Sequence, residues 1–144
     1  MYRLKERKRK MTDINWENIC KAAVSAKKKV ENLNTNEKNN ALFTVAEALM
    51  KNASYIVEAN KTDMDNGRKN GMKPSILDRL MLDETRIKGM ADGLKKVAGL
   101  PDPVGEVMDM SKRPNGMIVG KRRVPMGVVG IIYEARPNVT SDAF

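Results

Sequence analysis

The stretch Tyr133-Glu134-Ala135-Arg136-Pro137-Asn138-Val139-Thr140-Ser141 gathers the side chains best suited to holding a small anionic molecule. A guanidinium such as that of Arg136 can clamp a carboxylate or phosphate through two parallel hydrogen bonds. It can equally form an ion pair with Glu134. Asn138 carries an amide that either donates to a ligand or shapes the turn after Pro137. Thr140 and Ser141 present hydroxyls that either touch a substrate or cap a helix that follows. The apolar run before Tyr133 reads as a strand. In open α/β sheets ligands bind beyond the carboxyl ends of strands, which is where these residues would stand.

The composition narrows the chemistry further. The 144 residues include no His and one Cys. This excludes Ser-His and Cys-His arrangements, rules out a disulfide within the chain, and leaves a zinc site almost without ligands. No metal is therefore expected. Proton transfer falls to carboxylates, Lys, Tyr or water. Cys20 lies four residues after Trp16 on an apolar helical stripe and reads as a small buried thiol. The lone thiol and the lack of a secretory signal favour a reducing, cytoplasmic setting. No apolar run approaches the roughly 20 residues that span a bilayer, so no membrane is expected.

Net charge is +9, and Met1 to Lys10 alone contributes six basic residues against one Glu. More than half of the excess is thus a leader, read as solvated and disordered. A basic run of this kind can also bind nucleic acid or an anionic surface, but it lacks interleaved aromatics.

The elements that must carry the site follow from periodicity. Thr12 and Asp13 are N-cap types ahead of an apolar stripe at Trp16, Ile19, Cys20, Ala23 and Val30, with Lys27 to Lys29 loading the last turns. A second helix is predicted after Thr35, with Leu42, Val45, Ala46, Leu49 and Met50 on one face. Asn52 can cap a third, with Tyr55, Ile56 and Ala59 inward and Asn66-Gly67 and Asn70-Gly71 marking its fraying end. Pro74 suits the first turn of a short helix ending near Leu80, in which Asp78 and Arg79 read as a structural pair. Asp83 can cap a helix carrying Ile87, Met90, Leu94 and Val97, which Gly99 stops. Five of the six Pro lie beyond Gly99, and the pattern changes there. Glu106 to Ser111 and Met117 to Val124 read as a hairpin around the type I turn Arg113-Pro114-Asn115-Gly116. Val128, Val129, Ile131 and Ile132 form a β-branched run typical of a strand buried on both faces of a parallel sheet, with Gly127 and Gly130 reading as points of close backbone packing.

The run Val124-Pro125-Met126-Gly127-Val128-Val129-Gly130-Ile131-Ile132 leading into Tyr133 to Thr140 resembles the signature of the γ-glutamyl phosphate reductase family. This family, also called glutamate-5-semialdehyde dehydrogenases, falls in the aldehyde dehydrogenase superfamily. Glu58-Ala59-Asn60 with Asp63, Leu77-Asp78-Arg79-Leu80, and Leu100-Pro101-Asp102-Pro103-Val104-Gly105 resemble it too, in the family's order. The resemblance covers roughly Met11 to Phe144. It implies an α/β, aldehyde-dehydrogenase-like fold, present here as an N-terminal helical section, a β-hairpin and the first parallel strand of the nucleotide-binding domain. The implied division is a basic leader at 1–10, the helical section at 11–103, a hairpin toward the oligomerisation flap at 104–125, and the start of the NADPH-binding domain at 126–144.

The resemblance also implies a function. The family reduces L-glutamyl 5-phosphate to L-glutamate 5-semialdehyde in proline biosynthesis, using NADPH and a Cys thiolate that takes the acyl group and releases phosphate. Asn138 is the candidate oxyanion donor; Arg136, Thr140 and Ser141 are the candidate substrate contacts. Cys20 is in the wrong part of the chain to be the nucleophile, and most of the cofactor site is expected elsewhere in the enzyme. The chain is thus expected to be part of a larger enzyme, a homo-oligomer when full length, acting on a small-molecule substrate and inactive alone. An isolated parallel strand would expose apolar faces and unpaired backbone groups, so association is expected unless the helices cover it. The alternative is a basic helical module that binds nucleic acid or an acidic partner, which explains none of the motifs after Pro101.

Overall fold

The structure, a computed structural model, describes residues 15–144. The basic leader and the Thr12 and Asp13 caps lie outside the described residues. By contact the described chain forms two units, one holding the first helix and Val124–Val129, the other holding Asn34–Arg123 and Gly130–Phe144.

In the first unit, α1 (Trp16–Glu31) starts at Asn15, whose side-chain oxygen accepts from the Asn18 amide at 3.0 Å. Glu17 in the first turn and Lys28 and Lys29 in the last complement the helix dipole. No residue of α1 is buried. Its apolar stripe is present but uncovered, and Cys20 is exposed, contrary to the buried thiol expected. Gly127 has φ +98°, and a Cβ there would stand 3.6 Å from Cε of Lys27. The left-handed backbone, rather than tight packing, accounts for that glycine. Gly130 of the second unit has open space around it.

In the second unit, α2 (Thr35–Lys51) opens with a capping box, Asn34 and Glu37 each accepting the other's backbone N–H. It is followed by α3 (Ala53–Lys69), α4 (Pro74–Leu80) and α5 (Glu84–Ala98). Asp83 caps α5 by accepting from the Arg86 amide at 2.7 Å, and Gly99 ends it. The main packing is α2 on α5, where Ala46, Ala91 and Leu94 are buried beneath Leu42, Val45 and Leu49. Two alanines at the centre let the helix axes approach, and Ile87 and Ala98 extend the buried line along α5. Met50 and Val97, expected inside, are exposed at the edge of this contact.

The inward face of α3 is Ala53, Asn60, Met64 and Gly67. At about 100° per residue these positions share one side of the helix, while Tyr55 and Ala59 fall on the other. Tyr55 and Ala59 are accordingly exposed, which corrects the expected face. Gly67 is no fraying end either. It is buried, and a Cβ there would meet Cδ2 of Leu77 at 2.8 Å. The helix ends at Lys69, and Gly71 (φ +69°) turns the chain, with Met72 N–H donating to Gly67 O and Gly71 N–H to Arg68 O.

Asn60 is a buried polar residue with both ends of its amide engaged. It donates to Leu80 O at 2.9 Å and accepts from Leu82 N–H at 2.8 Å, fixing the connector between α4 and α5. The segment after α5 is tied to the start of α2: Asp102 accepts from Lys38 at 2.8 Å and from the Thr35 hydroxyl at 3.2 Å.

β1 (Val107–Lys112) and β2 (Ile118–Arg122) form an antiparallel hairpin with Lys112 opposite Ile118 and a register shift between Val107 and Asp109. Gly116 N–H donates to Arg113 O at 2.9 Å in the expected turn. Every strand residue is exposed. At the hairpin base, Arg123 N–H donates to Glu106 O and the two side chains pair at 2.8 Å.

The parallel strand expected over Val128 to Ile132 is not formed. Among the described residues the hairpin is the sole sheet, and Val128, Val129, Ile131 and Ile132 are half-exposed or more. A strand exists through its hydrogen-bonded neighbour, and none of the described residues pairs with this segment. The final helix, α6 (Val139–Asp142), packs on α5.

Replacing Asn60 with Ala leaves Leu80 O and Leu82 N–H without partners and should cost about 1–3 kcal/mol, read as a lowered urea midpoint with an unchanged m-value. Asp102 has its carboxyl held below the usual range, first by the Lys38 hydrogen bond and then by the Val104 N–H. Its contribution is therefore complete above the ordinary carboxylate pKa and is lost as pH falls through the depressed one. Asp102→Asn should melt below the parent at pH 7, and the gap between the two melting temperatures should close in strong acid.

Candidate functional site

A cleft of about 300 Å³ opens in the second unit, lined by Arg79, Met81, Leu82, Arg86, Gly89, Met90, Pro137, Asn138 and Asp142. Three pieces build it: the end of α4 with its connector, the first turns of α5, and the turn into α6. The connector is set by Asn60 from beneath. Arg86 fixes it from α5, donating to the backbone oxygen of Asp78, to Met81 O at 3.1 Å, and to the Asp78 carboxylate at 2.7 Å. The expected Asp78–Arg79 pair is therefore corrected to Asp78–Arg86. Adjacent residues on a helix point about 100° apart and do not face one another.

Of the four site residues read from the sequence, Asn138 lines the cleft. Its amide nitrogen donates to the Asp142 carboxylate at 2.8 Å, one turn along α6. An amide nitrogen carries two hydrogens, so one donor remains for a ligand. Ser141 is buried, and its hydroxyl donates back to Asn138 O at 2.8 Å, which holds the turn together. The Thr140 hydroxyl is bonded to the Tyr133 hydroxyl at 2.7 Å. Arg136 is exposed and does not line the cleft. Its backbone N–H donates to Glu134 O, and no Arg136–Glu134 ion pair forms among the described residues.

Sequence reasoning missed Arg86, and it named Asn60 only within a family-like segment, without its role. A signal for Arg86 existed in the cap it follows: the third residue after Asp83 stands in the first turn of α5, within reach of the preceding connector. Arg79 was seen but assigned a partner it lacks. Its guanidinium makes no hydrogen bond or ion pair among the described residues, whereas that of Arg86 makes three. The cleft thus combines a fixed cation, an unpaired cation, an amide donor and one carboxylate. It can bind an anion, and its lining residues include no Cys, Ser or Thr. No cluster of potential metal ligands occurs among the described residues, and none of their helices is long and apolar enough to cross a membrane.

No family model matches the chain. Individual relatives do. It is 59% identical over 121 residues to a γ-glutamyl phosphate reductase of Clostridium novyi, covering 84% of this chain and 29% of that protein. It is 60% identical over 111 residues to the one of Geobacter metallireducens, covering 77% of this chain and 27% of that protein. The chain resembles the N-terminal part of γ-glutamyl phosphate reductase. Solved reductases agree. The crystal structure from Thermotoga maritima matches with a TM-score of 0.81 at 43% identity, over 85% of this chain and 30% of that one. The one from Saccharomyces cerevisiae matches with a TM-score of 0.82 at 31% identity, over 90% and 33% respectively. The helices followed by a hairpin correspond to the aldehyde-dehydrogenase-like fold of those reductases. The chain thus spans about a third or less of the reductases it matches.

The Asn138–Asp142 bond makes a direct prediction. Asp142→Ala should release the Asn138 amide to water, seen as a moved and faster-exchanging side-chain NH2 resonance, with the α5 amides unchanged.

Proposed function

We propose that this chain supplies the N-terminal part of an NADPH-dependent reductase that converts L-glutamyl 5-phosphate to L-glutamate 5-semialdehyde and phosphate in proline biosynthesis, and that it is inactive alone. The observation that carries this reading is the 59% identity to the Clostridium novyi reductase over 84% of the chain. In this reading Asn138 donates its free amide hydrogen to the oxyanion that develops when a thiolate attacks the acyl phosphate. Arg136, whose guanidinium has no partner among the described residues, and Thr140 contact the substrate. Ser141 supports the turn from within, because its hydroxyl is already bonded to Asn138 O.

The nucleophile is another Cys of the enzyme, and Cys20 keeps no catalytic role. NADPH supplies hydride to the acyl group. Gly127 and Gly130 lie outside any strand-to-helix junction among the described residues, so they do not form a dinucleotide-binding loop. The hairpin over 104–125 leads toward the flap through which a full-length homo-oligomer assembles. A cytoplasmic setting suits an unpaired, exposed thiol.

The test is a chimera in which this chain replaces the matching part of the Clostridium novyi reductase. It should reduce glutamyl phosphate with NADPH, while the 144-residue chain alone should not. Asn138→Ala in the chimera should lower kcat by roughly 10²–10³. A folded but inactive chimera, or turnover by the isolated chain, would overturn the proposal.

A further inference from the structure

The cleft contains two arginines in different states. Arg86 is engaged, its guanidinium holding the Asp78 carboxylate and the backbone oxygens of Asp78 and Met81, so it shapes the wall. Arg79 also lines the cleft but carries no partner among the described residues, on the last turn of α4 just before the connector that Asn60 and Arg86 immobilise. An exposed arginine is ordinary. One whose backbone is clamped on both sides of its connector, and which faces the same cleft as an amide donor, is a preorganised anion ligand. The backbone has already lost its freedom, so binding costs only the ordering of one side chain.

The lining charges are few. Asp78 already neutralises Arg86, which leaves the Arg79 guanidinium and the Asp142 carboxylate, and Asp142 accepts the Asn138 amide on one oxygen. Met81, Leu82, Met90 and Pro137 supply apolar walls that lower the local dielectric and strengthen a charge-assisted bond. Such a site suits a short aliphatic molecule ending in a carboxylate or a phosphate.

We infer that this cleft is an oxyanion subsite in which the Arg79 guanidinium binds a terminal carboxylate or phosphate of the substrate, with Asn138 facing the remainder of the molecule. The inference deepens the proposed function and rests on it for the identity of the substrate. The anion binding itself stands on the cleft alone.

The experiment is a ¹H–¹⁵N titration of the 144-residue chain with two probes, glutarate for a carboxylate terminus and inorganic phosphate for a phosphate terminus. Saturable shifts at the Arg79 side chain and the Asn138 amide, with Kd on the order of 1–10 mM, are expected for at least one probe. The probe that saturates identifies the terminus. Arg79→Gln should weaken that probe at least about fivefold, and Arg79→Lys should recover part of the loss as a point charge without the bidentate fork. Equal binding by the parent chain and Arg79→Gln, or shifts confined to the lysine-rich turns of α1, would overturn the inference. A subsite that behaves as expected beside an inactive chimera would leave the anion site standing and remove the reductase reading.

Discussion

The connector between α4 and α5 is held from two directions, and the arrangement of the cleft depends on that double grip. From α3, the buried Asn60 amide takes Leu80 O at the end of α4 and Leu82 N–H of the connector. From α5, the Arg86 guanidinium takes Asp78 O and the Asp78 carboxylate of α4 and Met81 O of the connector. Residues 81–83 lie outside both helices; Met81 N–H and Asp83 O still bond to helix backbone, while side chains satisfy Met81 O and Leu82 N–H. The grip fixes where α5 begins. Because α6 packs on α5, it also fixes the frame against which Asn138 and Asp142 are presented.

Much of this was legible in the residues. The helices were readable because their apolar positions recur at threes and fours, and their ends because Asp83, Pro74 and Gly99 have local mechanisms that act without tertiary context. The hairpin was readable because its turn satisfies its own bonds. What escaped prediction needed a partner distant in sequence. Asn60 reads as a surface residue until a connector twenty residues on gives its amide both bonds. Arg86 reads as an exposed cation until Asp78 turns toward it. The exposure of Cys20 had the same source, since an apolar stripe states that a helix wants a cover and does not supply one.

The candidate site divides in the same way. The loop from Tyr133 to Ser141 was recognisable as a bearer of polar chemistry, and Asn138 does reach the cleft. Which of its hydroxyls and amides stay free was not readable, because Ser141 and Thr140 bind neighbours within the loop itself. The β-branched run before it carries a preference for strand that the described residues do not fulfil. Sequence encodes the readiness of such a segment, while pairing is a property of two segments.

The hairpin has a mechanical consequence. A ribbon whose side chains all face water draws no stability from burial, so its shape rests on the cross-strand bonds and the Glu106–Arg123 lock at its foot. Its register is therefore a local property, kept by bonds the two strands make to each other.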